Sequence, residues 1–279
     1  MTPSKKSGAP TAPDRSQDGE QRVNKMPGVP DALREARLVI REDSGIEPSI
    51  AIAADGTSPD PGAPGDVRRN KRRMRRAMRT LRASLDPDHA RQRSERACNA
   101  LVRWVSENAH GLVALYAARK HELATLPAAL VLLERGVSLA YPRVAPGQRT
   151  LHFHRIHDPH TLKPGRFDIA EPGPGDEEVA LTDIALFVVP GLAFDRHGGR
   201  LGWGAGHYDA SLCASPGTRV GFCFQSQIVD RVPREAHDIL MDRIITDDGI
   251  LDIHRTDRLP PTPAGQSTEA RITDASKNR

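Results

Sequence analysis

Between Ile184 and Val189 the chain is apolar without interruption (IALFVV), and it runs from there into Pro190–Asp209, PGLAFDRHGGRLGWGAGHYD. An unbroken apolar run of this length suits a strand buried on both faces, as in the middle of a parallel sheet. Such a strand needs helices over the sheet, so this run restricts the fold more than any other stretch. Gly198, Gly199, Gly202, Gly204 and Gly206 follow it. Glycine admits φ > 0 and lets a ligand come close to backbone amides. A loop that leaves a strand, bares N–H groups and enters a helix forms an anion site, with phosphate as the commonest biological occupant. Arg200 inside the loop and Asp209 after it suit a phosphate and its metal ion. The combination points to an enzyme that handles nucleotides.

The flanking pattern repeats the strand–helix alternation. Met74, Met78, Leu81 and Leu85 fall at spacings of 4, 3 and 4, the buried stripe of an amphipathic helix. A second helix is predicted over His89–Glu107, with Asp86 as N-cap and Pro87 in the first turn. Gly111–Tyr116 reads as a strand, Thr125–Glu134 as a helix closed by Gly136, and Val137–Tyr141 as a strand. Leu151–Ile156 alternates as an edge strand does. Thr218–Phe224 and Arg243–Thr246 complete the set. The expected fold class is α/β: a largely parallel sheet flanked by helices on both faces, a Rossmann-like three-layer single domain. Ligands bind such sheets outside the carboxyl ends of the strands, and the glycine loop lies there.

Both ends differ from the middle. Residues 1–67 contain no Phe, Trp or Tyr and hold nine of the 23 prolines, and the chain beyond about 255 is equally free of aromatics. Such segments bury too little apolar surface to offset the entropy of ordering them. The expected division is a disordered extension at 1–67, an α/β domain at 68–254 and a disordered tail at 255–279. Periodicity at Asp31–Arg41 allows a short helix with no companion to pack on. Cys98, Cys213 and Cys223 show neither metal-ligand nor disulfide spacing and read as small buried residues in a reducing compartment. No stretch resembles a signal peptide or a membrane span, so a cytoplasmic, monomeric or weakly associated protein is expected.

The formal net charge is +4, and the excess concentrates in Arg68–Arg82, which holds nine Arg or Lys residues. Three readings of this run stay open: a solvated helix face, a nucleic-acid contact, or a helix with one or two cations turned into a ligand site. Lys71 and Arg75 are four apart and flank the apolar stripe, which suits the third. Against nucleic acid stands the shortage of aromatic residues for base stacking. His152, His154, His157 and His160 lack acidic or cysteine companions at ligand spacing, and no metal site is read there. The chain has no GxxxxGK[ST], and Gly202–Gly206 is GxGxG, not the GxGxxG of dinucleotide folds.

At this level of detail the chain resembles the 5-formyltetrahydrofolate cyclo-ligase family, also called 5,10-methenyltetrahydrofolate synthetases. The central block matches the family's PGLAFDxxGxRLGxGxGYYD. The resemblance spans about Asn70–Gly249 and includes a KxxxR pair (Lys71, Arg75), a YxxxxxExxT segment (Tyr116, Glu122, Thr125), a YPR segment with Pro142 and Arg143, Glu171-Pro172, and Gln227, Pro233 and His237-Asp238 near the end. Two positions depart from the pattern: His207 where the family commonly has an aromatic residue, and Ala205 where it has Gly or a cation.

The resemblance implies ATP- and Mg²⁺-dependent closure of 5-formyltetrahydrofolate to 5,10-methenyltetrahydrofolate, with ADP and phosphate released. The formyl oxygen would attack the γ-phosphate of ATP, N10 would attack the resulting iminium phosphate, and phosphate would leave. By the same resemblance Lys71, Arg75 and Arg200 would act on the phosphates, together with the loop Leu201, Gly202, Trp203, Gly204, Ala205, Gly206, His207, Tyr208 and Asp209. Asp209 and Asp238 would hold Mg²⁺. Glu122 would accept from the donor edge of the pterin, with Tyr116, Ala117 and Tyr208 walling the folate pocket. A nucleotide- or folate-binding regulator without turnover is the alternative, besides nucleic-acid binding.

Overall fold

The computed structural model describes residues 20–22, 38–41, 49–52 and 64–253. In chain order the main elements are α1 (Pro64–Ala83), α2 (Pro87–Asn108), β1 (Leu112–Ala114), α3 (Leu126–Glu134), β2 (Leu139–Val144), β3 (Leu151–Ile156), β4 (Glu178–Val179), β5 (Ile184–Val189), α4 (His207–Leu212), β6 (Thr218–Phe222), β7 (Arg243–Thr246) and β8 (Gly249–Leu251). Among the described residues no helix is long and apolar enough to cross a membrane.

Local chemistry sets the helix ends. The Asp86 side chain accepts from the backbone N–H of Asp88 and His89, and Pro87 needs no acceptor at the first position. At the end of α3, Gly136 (φ 77°) donates to the Leu133 carbonyl and Val137 to that of Leu132, the two bonds of a Schellman cap.

The eight strands lie in the order β8-β7-β6-β5-β1-β2-β3-β4. β2, β1, β5, β6 and β7 run parallel, and β8, β3 and β4 are antiparallel additions. The chain moves outward from β1 to β2, then returns to place β5 on the other side of β1. The strand order therefore reverses between β1 and β5, which opens a crevice at their carboxyl ends. β3 is not the edge strand expected from its alternation, because the two-residue β4 pairs along its outer side.

Helices α2 and α3 cover one face of the sheet, with Leu101, Val105 and Leu132 packed on Val113, Leu186 and Phe222. The other face carries Phe153, Phe187, Val189 and Ile244, and the first two rings meet edge-to-face at 5.4 Å. Each such ring contributes about 1.5–3 kcal/mol by its burial. This second layer is thinner, formed by the six-residue α4 through Leu212 and by loops.

Helix α1 packs on a hairpin rather than on the sheet. Met74 and Met78 meet Leu192, Ala193, Leu201, Val229 and Val232, so the predicted stripe faces the glycine segment. In the hairpin, Ala193–Phe194 pairs with Arg200–Leu201. Asp195, fully buried, closes it by accepting from the N–H groups of His197 (2.8 Å), Gly199 (2.8 Å) and Val232 (2.7 Å). Three N–H groups on one carboxylate fix the path of the chain into the glycine loop.

Three expectations are corrected. Of Asp31–Arg41 only Leu38–Arg41 is described, and it is a strand paired with Glu20–Arg22 and Ser49–Ile52, as the β-branched Val39-Ile40 pair favours. Residues 64–67, expected in the extension, form the start of α1 with Val67 buried, and the rest of the proposed tails lies outside the described residues. Cys98 and Cys223 are buried as expected, but Cys213, just past α4, is exposed.

Candidate active site

A cavity of about 1600 Å³ opens at the reversal between β1 and β5. Tyr116 and Ala117 enter it just after β1, Pro190 just after β5, and the glycine segment from Arg200 to Asp209 forms much of its wall. Lys71 and Arg75 reach it from α1, Glu122 from the loop before α3, and Asp238 from the loop before β7. Residues separated by more than 160 positions in the chain thus line one space.

Its polar groups are arranged as opposed charges. The Lys71 ammonium, only 7% exposed, lies 2.6 Å from Asp238 Oδ2 and 2.9 Å from Glu235 Oε2. Hydrogen bonds from Lys71 and then Arg68 hold the Glu235 carboxyl below its ordinary range. Arg75 Nε donates to the Gly202 carbonyl at 2.9 Å, tying α1 to the loop. Burial lowers the Arg75 guanidinium from its usual range, opposed by Asp238, Glu235 and Asp209 nearby. Arg200, with 4% of its side chain exposed, lies 3.0 Å from Asp209 Oδ1, which also accepts from Ile239 N–H at 3.3 Å. The Arg200 guanidinium is 5.5 Å from the Tyr208 ring centroid. Of the nine cations in Arg68–Arg82, the buried Lys71 and the half-buried Arg75 line the cavity beside the exposed Arg68 and Arg72, which favours the third reading of that run.

Gly204 shows why the loop needs glycine. Its φ is +113°, and a Cβ there would lie 3.4 Å from the Arg75 guanidinium carbon. Gly206 (φ 71°) is the N-cap of α4, and a Cβ there would lie 2.9 Å from Arg149 Nη2. With six residues α4 adds little macrodipole, so an anion held here would rest on the loop amides and the side-chain cations.

The folate-side candidates meet in a second cluster. Glu122 Oε2 accepts from the Arg119 amide at 3.0 Å, and Oε1 accepts from the Trp203 indole N–H at 2.9 Å. The buried Arg82 lies 3.7 Å from Oε1 and donates through Nε to the His121 carbonyl. Tyr116 spends its hydroxyl on the Leu123 carbonyl at 2.9 Å, and burial pushes its phenol well above the usual range. It is both a core residue and a wall of the cavity. Thr125 and Gln227 lie behind the cavity: Thr125 Oγ1 donates to the Tyr116 carbonyl, and the Gln227 amide donates to Gly191 and Leu192. His152 pairs with Glu178 and His154 with the Asp176 carbonyl, outside the cavity.

Two cavity residues, Glu235 and Arg149, and one residue behind the cavity wall, Arg82, escape the sequence reading. Glu235 and Arg149 sit in loops with no local pattern, and Arg82 is masked by the basic run around it. For Glu235 the signal is its place two and three residues before His237 and Asp238, since ligand atoms of the three lie within 4.8 Å of one another. His207, in place of an aromatic residue, pairs its Nδ1 with the Arg149 carbonyl at 2.8 Å, so Nδ1 carries the proton.

Known proteins resemble this chain in sequence and in fold. Residues 67–247 match the model of the 5-formyltetrahydrofolate cyclo-ligase family. The 5-formyltetrahydrofolate cyclo-ligase of Saccharomyces cerevisiae is 30% identical over 204 residues, covering 64% of this chain and 96% of that protein. The Escherichia coli K12 enzyme of the same name is 27% identical over 174 residues, 61% of this chain and 96% of its own. The NMR structure of Aquifex aeolicus 5,10-methenyltetrahydrofolate synthetase superposes with a TM-score of 0.59 at 30% identity, covering 74% of this chain and 99% of that one. The fold, the cavity at its switch point and the matched length together place this chain in the 5-formyltetrahydrofolate cyclo-ligase family.

Proposed function

We propose that the chain converts 5-formyltetrahydrofolate to 5,10-methenyltetrahydrofolate with ATP and Mg²⁺, in a reducing, cytoplasmic compartment. The observation that carries this reading is the convergence of Lys71, Arg75, Glu122, Arg200–Asp209 and Asp238 on one cavity at the β1/β5 reversal. The residues suit the expected ligands. Arg200 Nε is buried without a hydrogen-bond acceptor among the described residues, a donor that a phosphate oxygen satisfies. Asp209, Asp238 and Glu235 offer the oxygen ligands that a hard divalent cation takes.

The task is to bring a weak oxygen nucleophile in line with a phosphoryl group and to neutralise the charge between them. Lys71, Arg75 and Arg200 supply positive charge around the phosphates, and the Gly202–His207 segment supplies N–H donors. To meet a phosphate, Lys71 exchanges its present carboxylate partners for phosphate oxygens. Asp209 and Asp238 would hold Mg²⁺, which when bound neutralises charge on the phosphates. Glu122 accepts from the pterin and fixes the formyl group toward the glycine loop. The formyl oxygen attacks the terminal phosphorus and the bond to the leaving ADP breaks. N10 then attacks the activated formyl carbon and gives up its proton to the departing phosphate as the C–O bond breaks.

This sequence of bonds transfers the formyl oxygen to phosphate. With ¹⁸O in the formyl group, mass spectrometry should find one labelled oxygen per phosphate released. Unlabelled phosphate alongside normal product formation would overturn the route.

A further inference from the structure

Both carboxylate oxygens of Glu122 already have a partner, and one of these partners stands out. Its side chain is 5% exposed; Oε2 is held by the Arg119 amide and Oε1 by the Trp203 indole at 2.9 Å, with Arg82 3.7 Å away. The Arg119 donor is backbone, and the Arg82 side chain is 2% exposed. Trp203 is 38% exposed and sits between Gly202 and the left-handed Gly204. The indole is therefore the one partner that leaves Glu122 without unpacking the fold. Arg119 and Arg82 lie 4.6 and 5.3 Å from its ring centroid and hold it over the carboxylate.

We propose that Trp203 is a specificity-determining latch: its indole N–H occupies the Glu122 acceptor, and only a ligand presenting a paired N–H donor edge, as a reduced pterin does, displaces it. This rests on the reading of the cavity as a folate site. A ligand with a single donor or an acceptor at that position exchanges one bond for an equal or worse one and leaves the latch closed. The pterin gains by answering the carboxylate with an amino group and a ring N–H together.

Trp203→Phe keeps an aromatic ring beside the two guanidiniums and removes the competing N–H together with one ring of the indole. A hydrogen bond to a charged acceptor shifts an equilibrium by about tenfold, so the variant should bind 5-formyltetrahydrofolate about tenfold more tightly in calorimetric titration without nucleotide. The chain has two tryptophans, Trp104 and Trp203. In protein labelled with 5-fluorotryptophan, assigned through Trp104→Phe, the Trp203 resonance should shift on saturation with 5-formyltetrahydrofolate while that of Trp104 stays in place. Equal or weaker binding by Trp203→Phe, or a stationary Trp203 resonance at saturation, would overturn the latch and leave the folate site standing. Failure of the wild-type protein to bind 5-formyltetrahydrofolate, or undiminished binding by Glu122→Gln, would overturn the folate site and the latch with it.

Discussion

Gly204→Asp should raise the KM for ATP at least about 100-fold while leaving the protein folded. The φ of +113° strains any L side chain at this position, at a cost of about 1–3 kcal/mol. The larger effect is electrostatic. A Cβ at Gly204 lies 3.4 Å from the Arg75 guanidinium carbon, so the new carboxylate pairs with Arg75 and puts negative charge where phosphate oxygens are to lie. Like charges in such proximity cost several kcal/mol, which is about 10²–10³ in affinity. Gly204→Ala carries the strain without the charge and should change the KM less than about tenfold. Steady-state kinetics on both variants, with circular dichroism as the check on folding, separates the two terms. An unchanged KM for ATP in Gly204→Asp would remove the glycine loop from the nucleotide site.

The second large effect is expected at Arg200. Its guanidinium is nearly buried, donates to Asp209 and to the Pro190 carbonyl, and carries the orphaned Nε. On the proposed route Arg200→Ala removes a preorganised cation from beside the developing phosphoryl charge, and kcat should fall about 10²–10³-fold. It also leaves Asp209 without its counter-charge, with a stability loss of about 3 kcal/mol, at the lower end for broken buried pairs because Asp209 is partly exposed. Arg200→Lys should restore much of the stability and little of kcat, because one ammonium does not reproduce the guanidinium fork. A kcat for Arg200→Ala within about fivefold of wild type would show that Arg200 only braces the loop.

Much of this was legible because it is local. The IALFVV run, the capping of α2 by Asp86 and Pro87, the Gly136 stop and the Met74/Met78 stripe each follow from neighbours within a turn or a strand. The glycine block was legible through its composition. What the sequence withholds is non-local. The pairing of β5 with both β1 and β6 depends on crossover connections, and the internal place of β3 depends on a two-residue partner with no pattern of its own. Lys71 and Glu235 are 164 residues apart, so nothing in the alternation of either segment announces their contact. Arg82 looks like its exposed neighbours until the fold turns it under Trp203. Cys213 reads as a small buried residue by type, yet it falls where α4 ends at the surface.

The central claim is that this cavity closes the folate ring at the expense of ATP. The direct measurement is absorbance of 5,10-methenyltetrahydrofolate after mixing the protein with 5-formyltetrahydrofolate and Mg²⁺, with and without ATP. Product that forms only with ATP, and stops when the metal is chelated, is the predicted result. Product formed equally without ATP, or none from folded protein that binds both ligands, would contradict it.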